Sequence, residues 1–460
     1  MGSAMDAHST LPRRWWVVLT ALVLGAILRL WFIHAYPGIL GDPLVYGDIA
    51  KNWMLHGVYG LTTETGAIRP TLIRLPGYPL FLVICFKLFG LEHYNAVMFT
   101  QVAFDLAGCL LLADFTRRIW SRKAAWWALW LSALCPFTAN YTGTPLTETL
   151  EIFFIIVALY ALVRFLETPL WRWALLEAFA WSYAALLRPD GPLIAVALCP
   201  AMVWYGRRRW GTTRMMRFAV TAGLLSVLPF IPWTIRNWRT FHVFQPLAPR
   251  SAMDPGQFTN PGFNRWTRTF CADFTCTWEI YWNANSGEIH LDDLPSRAFD
   301  SPEQYEETKQ LLDDYNDTIT VTPPLDARFA ALAAEHIRAH PFRYYVVLPL
   351  ARLVDMWLRP RTALLWIELR WWQFEAHEGE TIFAWSYAGL NLLYLILAAW
   401  GLKKRPPLVG AMVFYILMRC ALLATLDAPE PRYTLECFPM MIVLASVALT
   451  RRETSPSTAD

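Results

Sequence analysis

The sequence predicts an all-α membrane protein with about ten transmembrane helices. Of its 460 residues, 55% are hydrophobic and only 17% are charged, whereas soluble proteins carry roughly 25% charged residues. The apolar residues form runs close to the roughly 20 residues that a helix needs to cross a bilayer. Basic residues gather at one set of run ends, as they do on the cytoplasmic side of membrane proteins. The net charge of +3 gives no reason to expect a nucleic-acid partner.

The predicted spans follow the apolar runs in chain order. The first run, Trp15 to Ala35, is long enough to remain as a span and lacks the small-residue cleavage site of a signal peptide. The spans cover about residues 15–35, 95–116, 124–141, 147–166, 172–188, 191–206, 216–235, 382–401, 407–425 and 433–450.

The distribution of basic residues predicts the orientation. Placing the N-terminus in the cytoplasm puts eighteen basic residues at cytoplasmic span ends. They are Arg13, Arg14, Arg117, Arg118, Arg122, Lys123, Arg164, Arg172, Arg207, Arg208, Arg209, Arg214, Arg217, Lys403, Lys404, Arg405, Arg451 and Arg452. The short outer turns hold few basic residues beyond Arg188 and Arg432. We therefore expect a multi-pass protein with both termini in the cytoplasm.

Two large regions are expected on the outer side of the membrane. The first covers residues 36–93. Within it, Leu75 to Phe89 is apolar but short and contains Lys87, so we expect an interfacial or re-entrant helix there. The second is a polar region over residues 240–380, in which Tyr344 to Trp357 is predicted to form an amphipathic helix at the surface.

These regions divide the chain into three predicted parts. Residues 1–239 form a transmembrane catalytic module that includes the first outer loop. Residues 240–380 form a large extracytoplasmic loop region. Residues 381–460 form the C-terminal transmembrane helices and a cytoplasmic tail.

Asp42 is the first candidate for chemistry. On a helix that starts near Asp42, Tyr46 and Ala50 share its face, which brings a carboxylate and a phenol together at the membrane surface. The alternative is that Asp42 only caps the helix Pro43–Leu55, with Pro43 at the first helical position. Spacing alone leaves both interpretations open.

Three further acids lie at or inside predicted spans. Glu148 begins the fourth span, with Glu151 one turn further along the same face. Glu148 is either a helix N-terminal charge or an active-site carboxylate. Asp105 lies midway through the second span, where an unpaired carboxylate costs several kcal/mol, so we expect it to have a partner. Arg419, in the ninth span, is one candidate.

Several segments together resemble the family 39 type membrane glycosyltransferases, which include protein O-mannosyltransferases and the aminoarabinose transferases of lipid A. The first outer loop reads GDPLVYGDIAKNWMLHGVYG from Gly41, followed by RLPGYPLFL from Arg74. Later segments occur in the same order: PLTETLE (145–151), LLRPDG (186–191), PWTIRNWRTF (232–241), HPFRYYVVLPLARLVDMW (340–357) and PRYTLECFP (431–439). The resemblance runs over about residues 15–450.

The resemblance implies a GT-C type fold with its catalytic face outside the cytoplasm, in a bacterial cell membrane. It implies a polyprenyl-phosphate-linked sugar as donor, no cofactor, and inversion at the anomeric carbon. The family's first-loop acid matches Asp42, with Tyr46 four residues on. Pro43 stands where many relatives have Glu, and Glu148 stands where they often have Asp. The acceptor, whether lipid, polysaccharide or protein, is left open.

The chemistry of an inverting transferase requires a base to take the proton of the acceptor hydroxyl. We expect Asp42 in this role, with Glu148 as the second catalytic carboxylate and Asp48 as the rival base. The leaving lipid phosphate needs cations, and arginine matches phosphate geometry. The predicted phosphate-binding residues are Arg74, Arg236 and Arg432, although each could instead be an interfacial anchor.

Smaller expectations complete the predicted site. Tyr46, Asp48 and Tyr433 are supporting residues. The sequence has no His or Cys cluster at metal spacing, so no metal is expected to be essential. Cys271 and Cys276 lie on the predicted outer loop, where oxidising conditions permit a disulfide. The alternative for these two residues is a pair of free buried thiols.

A transporter or flippase of lipid-linked sugars is the alternative function. Such a protein would show charges inside the membrane and broken helices in symmetric halves. The sequence shows no half-repeat, and its polar motifs cluster on one side.

Overall fold

The computed structural model describes residues 15–374 and 378–451 and confirms an all-α fold. Arg13, Arg14 and Arg452, which were used to orient the termini, lie outside these residues. The helices are α1 Trp15–Ala35, α2 Asp42–His56, α3 Gly77–Phe89, α4 Tyr94–Ile119, α5 Arg122–Ala133, α6 Pro136–Asn140, α7 Glu148–Glu167, α8 Trp171–Leu187, α9 Pro192–Trp210, α10 Thr212–Val227, α11 Phe230–Phe241, α12 Pro261–Thr267, α13 Phe274–Cys276, α14 Pro302–Asn316, α15 Pro323–Ala339, α16 Leu348–Leu358, α17 Glu378–Lys403, α18 Val409–Leu423 and α19 Phe438–Ala448. Two short antiparallel strands, β1 Gly60–Thr62 and β2 Ile68–Pro70, form a hairpin.

Within the described residues, five helical stretches are long and apolar enough to cross a membrane. They are Trp15–Ala35, Tyr94–Ile119, Glu148–Glu167, Thr212–Phe241 and Glu378–Lys403. The other predicted spans contain the shorter or less apolar helices α5, α8, α9, α18 and α19, so the count of ten stays a prediction. Helix α3 has 13 residues, or about 20 Å of helix against a hydrocarbon core of roughly 30 Å. It is too short for a simple span.

The chain divides into two compact units. Of the described residues, the first unit comprises 15–248, 394–413 and 436–451, and the second comprises 249–374, 378–393 and 414–435. The division after Ala248 lies nine residues beyond the predicted boundary at 239. Residues 394–413 and 436–451 group with the first unit, and the predicted division into three parts stays a prediction.

Helix α7 lies at the centre of the first unit, where it packs against α4, α8 and α9. Glu148 and Glu151 lie in its buried first turn. Helix α1, in contrast, exposes a row of large apolar side chains that includes Leu19, Val23 and Ile27. Such a face suits contact with lipid.

Asp105 has a partner inside this bundle, and that partner is Arg29 on α1. Nε of Arg29 donates to the Asp105 carboxylate at 2.6 Å. The same guanidinium donates to the carbonyl of Ala133 at 2.6 Å and to that of Gly25 at 2.8 Å. Arg419, the candidate partner from the sequence, donates instead to the carbonyl of Tyr433 in the second unit at 2.8 Å.

The second unit has a core of its own. It is built around Trp266, whose ring contacts the rings of Phe270 and Phe329. Cys271 and Cys276 belong to this core and are joined by a disulfide, with their Cα atoms 5.5 Å apart. The backbone N–H of Cys276 donates to Oδ1 of Asp273 at 3.0 Å, which fixes the turn that the disulfide closes.

Candidate active site

Asp42 and Arg74 form an ion pair on the first outer loop. Nη2 of Arg74 donates to Oδ1 of Asp42 at 2.6 Å. Asp42 is the first residue of α2, after Gly41, whose φ of 68° lets the chain turn into the helix. The side chains remain 35% and 21% exposed, for Asp42 and Arg74 respectively. The structure therefore gives Asp42 a charged partner and access to solvent, which a capping role alone does not require.

Asp48, the rival base, holds the β-hairpin against α2. Its Oδ2 accepts from the backbone N–H of Thr62 at 2.6 Å, and its Oδ1 accepts from the Thr62 hydroxyl at 2.8 Å. Lys51 lies 3.6 Å from the same carboxylate. Both oxygens of Asp48 therefore bind the loop. This arrangement is consistent with its predicted role as a supporting residue and not as the base.

Arg236, a predicted phosphate-binding residue, is engaged with the same loop. It donates to the carbonyl of Thr71 at 2.7 Å and to that of Tyr59 at 2.6 Å. Its guanidinium also lies over the rings of Tyr59, Trp233 and Phe241. These contacts give Arg236 a structural role in tying α11 to the loop.

Tyr46 packs between the Asp42–Arg74 pair and the helix bundle. The guanidinium carbon of Arg74 lies 5.6 Å from the centre of its ring, and the ring of Tyr78 meets it edge-on at 5.1 Å. The Tyr78 hydroxyl donates to Oε1 of Gln101 at 2.7 Å. Nε2 of Gln101 donates in turn to the carbonyl of Thr144 at 2.9 Å, in the segment that leads into α7.

A second charged cluster lies at the start of α7. Nη1 of Arg188 is 3.3 Å from Glu148, and its Nε is 3.2 Å from Glu151 and 3.2 Å from Asp190. Glu436 lies 3.9 Å from the same guanidinium. Glu148, Glu151 and Glu436 are at most 1% exposed. Arg188 thus connects four carboxylates that come from three separate segments of the chain.

Residues of both charged clusters influence the pKa of the Tyr46 phenol. Burial raises the pKa of Tyr46 to about 12. Arg74, Asp42, Arg188 and Glu148 all contribute electrostatically to that pKa. Tyr46 therefore lies within electrostatic range of both Asp42 and Glu148.

Arg432 and Tyr433 lie in the second unit. Nε of Arg432 is 2.7 Å from Glu430, and the Tyr433 hydroxyl bonds to the same carboxylate. Arg361 binds the carbonyl of Pro431 at 2.5 Å and so fixes this segment. The two predicted residues are therefore neighbours around Glu430, a residue that the sequence analysis did not single out.

Several other site residues escaped the sequence analysis. Gln101 lies inside a predicted span and carries no motif. Asp190 and Glu436 lie within LLRPDG and PRYTLECFP, so the family-like segments already contained them. What linear sequence does not show is that these segments meet at Arg188.

The described residues contain no group of three or more His, Cys, Asp or Glu side chains placed to hold a metal ion. An apolar groove with a volume of about 600 Å³ lies elsewhere in the first unit. It is lined by residues of α9 and α10 and by none of the site residues above. We therefore locate the site by its ion pairs and not by that groove.

Comparison with known protein families gives a match over part of the chain. Residues 70–233 match the family model of dolichyl-phosphate-mannose-protein mannosyltransferase, and this range includes Arg74, Glu148 and Arg188. No curated protein sequence matches the chain significantly.

Solved structures show the fold. The oligosaccharyltransferase of Archaeoglobus fulgidus in its apo form is similar with a TM-score of 0.53 and 15% identity, over 95% of this chain and 50% of that one. The same archaeal enzyme, AglB, in complex with an inhibitory peptide and a dolichol-phosphate is similar with a TM-score of 0.50 and 13% identity. The match covers 96% of this chain and 50% of that one. This chain therefore spans about half the length of that protein.

ArnT from Cupriavidus metallidurans, bound to undecaprenyl phosphate, matches with a lower TM-score of 0.36 at 14% identity, over 95% of this chain and 77% of that one. The fold similarity thus depends on the archaeal structures, and the family model supplies the sequence link. Together these findings agree with the resemblance seen in the sequence: residues 70–233 match a family of membrane mannosyltransferases, and the chain shares the fold of the archaeal oligosaccharyltransferase.

Proposed function

We propose that this protein transfers a sugar from a polyprenyl-phosphate carrier to an acceptor hydroxyl on the extracytoplasmic face of a bacterial cell membrane. The observation that carries this proposal is the Asp42–Arg74 pair, with its 2.6 Å contact and its partial exposure. It combines a base for the acceptor with a cation for the phosphate. The family model and the dolichol-phosphate bound by AglB support a lipid-phosphate donor.

The proposed reaction is one displacement with inversion. The acceptor oxygen forms a bond to the anomeric carbon while its proton passes to Asp42, and the bond from that carbon to the phosphate oxygen breaks. Polyprenyl phosphate leaves with the electron pair. Arg74 keeps Asp42 in its charged form because a neighbouring cation favours a carboxylate. The positive charge of the Arg74 guanidinium suits the negative charge that grows on the leaving phosphate.

Glu148 is proposed as the second carboxylate of the site. Arg188 orients it, and Thr147 donates a weak hydrogen bond to it at 3.4 Å. Because Glu148 is buried, we assign it to shaping the field around the sugar and not to proton transfer. Arg432, beside Tyr433, remains the second candidate for the donor phosphate.

The test is to incubate membranes that contain the protein with a panel of radiolabelled polyprenyl-phosphate sugars. We expect one label to move to a lipid, polysaccharide or protein acceptor. The reaction should survive a chelator, since cationic side chains supply the charge. Label that crosses the membrane but stays on its carrier would favour a flippase. A chelator-sensitive reaction that manganese or magnesium restores would show that a metal takes part.

A further inference from the structure

A groove between α9 and α10 has the features of a lipid site and belongs to no part of the proposed reaction. The two helices are antiparallel neighbours joined through Gly211, whose φ of 85° permits the tight reversal. The groove has a volume of about 600 Å³. It is lined by Cys199, Pro200, Val203, Trp204 and Arg207 of α9 and by Met216, Ala219, Val220, Gly223 and Leu224 of α10.

The lining of the groove is apolar except at one end. Its residues on each helix recur at helical spacing, so each helix presents one continuous strip to the groove. Arg207 closes one end, where its guanidinium carbon lies 3.8 Å from the centre of the Trp204 ring. From Arg207 to Cys199 the helix rises about 12 Å, a length that suits an acyl chain. The shape therefore fits a molecule with one charged end and a hydrocarbon tail.

The charge at that end selects an anion. Arg207, Arg208, Arg209, Arg214 and Arg217 lie within eleven residues, and the sequence holds no Asp or Glu between Asp190 and Asp254. Within residues 15–374 and 378–451, none of these five arginines has a carboxylate at ion-pair distance. Five guanidinium groups without a carboxylate at ion-pair distance attract anionic lipid headgroups at a membrane surface.

We infer that the α9–α10 groove binds an anionic phospholipid, with the headgroup at Arg207 and an acyl chain along Gly223. The aromatic face of Trp204 keeps the guanidinium at the end of the groove, because a cation is attracted to an indole ring. Trp204 is 61% exposed, so its ring is available to the lipid as well. This site is independent of the donor, the acceptor and the catalytic residues proposed above.

The structure offers a substitution that fills the groove without disturbing the helices. A Cβ placed at Gly223 meets no heavy atom within 4 Å. Gly223→Leu should therefore occupy the space of the acyl chain, and Gly223→Ala is a milder version should the larger side chain impair folding. Arg207→Gln removes the headgroup contact. The matched control is Arg122→Gln, an exposed arginine at the start of α5 that does not line the groove.

The experiment uses the full chain in vesicles of phosphatidylcholine that contain phosphatidylglycerol with the same acyl chains. The protein is extracted in mild detergent, and native mass spectrometry counts the lipids that remain bound. Wild type and Arg122→Gln should retain phosphatidylglycerol in preference to phosphatidylcholine. Arg207→Gln should lower that preference about fivefold. Gly223→Leu should remove the bound lipid, and Gly223→Ala should weaken its retention.

Four results would overturn the inference. Equal retention of the two phospholipids would show that the headgroup charge does not determine which lipid binds. An equal loss of the phosphatidylglycerol preference in Arg122→Gln and Arg207→Gln would show that the basic surface as a whole, and not Arg207, attracts the lipid. Full retention in folded Gly223→Leu and Gly223→Ala would place the lipid elsewhere. Displacement by inorganic phosphate or polyprenyl phosphate would identify a different occupant.

Discussion

At the scale of single residues, Arg74 and Arg188 differ in what surrounds them. Arg74 pairs with Asp42 and remains partly exposed, whereas Arg188 lies among four carboxylates, of which three are buried. The first arrangement is open to ligands, and the second fixes the positions of other side chains. This contrast is why we assign proton transfer to Asp42 and a supporting electrostatic role to Glu148.

Sequence reasoning found the ionisable side chains of the site more readily than their partners. Asp42 and Arg74 were both predicted, and the structure places them in contact. The partner of Asp105 was missed because Arg29 lies in the first apolar span, 76 residues away. The sequence also did not show that two loop carbonyls bind Arg236, whose role at the donor phosphate stays a prediction.

The buried pair Asp105–Arg29 gives a residue-scale prediction. Asp105→Asn should destabilise the protein by about 3–5 kcal/mol, because it leaves the Arg29 charge buried without its carboxylate. The double variant Asp105→Leu/Arg29→Met should recover most of that loss, since no charge is then left in the bundle. Unfolding in detergent, followed for the wild type and both variants, measures the difference. A double variant less stable than Asp105→Asn would contradict this account of the pair.

At the scale of elements, the first outer loop is held by contacts that local sequence patterns do not contain. Helix α2 was predicted from Asp42 onward and begins there. The β-hairpin was not predicted, because its strands have three residues each and depend on Asp48 and on the pairing of Gly60 with Pro70. Periodicity identifies long helices well, whereas such short elements form only when tertiary contacts support them.

The disulfide in the second unit gives a prediction at this scale. Mass spectrometry of the purified protein without reduction should recover the peptide with Cys271 and Cys276 oxidised. The structural reason is their position in one turn of the unit's core, with Cα atoms 5.5 Å apart. The six other cysteines, which are not paired in the structure, serve as internal controls. Two thiols in that peptide that react with an alkylating reagent would refute the bond.

At the scale of the whole molecule, the order of the helices could be predicted, but the grouping of the C-terminal segments could not. Residues 436–451 belong to the first unit, where Glu436 lies 3.9 Å from Arg188. Hydropathy identifies a segment as apolar but does not indicate which helices it packs against. The packing of the C-terminal segments is therefore known only from the structure. The number of membrane crossings likewise depends on helices shorter than the five that meet the length and hydropathy of a span.

Orientation is the whole-molecule prediction. Single cysteines placed at Thr62 and Ser286 should react with a membrane-impermeant reagent from outside intact cells, because the basic residues keep the opposite side in the cytoplasm. Each variant is compared with the unsubstituted protein under the same labelling. Reaction only after permeabilisation would reverse the orientation and remove the basis for a donor on the extracytoplasmic face.

The most direct test of the account is sugar transfer by purified Asp42→Asn in proteoliposomes supplied with the polyprenyl-phosphate donor. Asn retains the shape of the side chain but cannot take the acceptor proton, so we predict a loss of roughly 10²–10⁴ in rate. Asp48→Asn is the matched control, because the Asp48 carboxylate binds Thr62 and is not the proposed base. The folded Asp48→Asn variant should transfer sugar near the wild-type rate. Near-wild-type transfer by Asp42→Asn with collapse of Asp48→Asn would move the base to Asp48, and full activity in both would contradict the carboxylate mechanism.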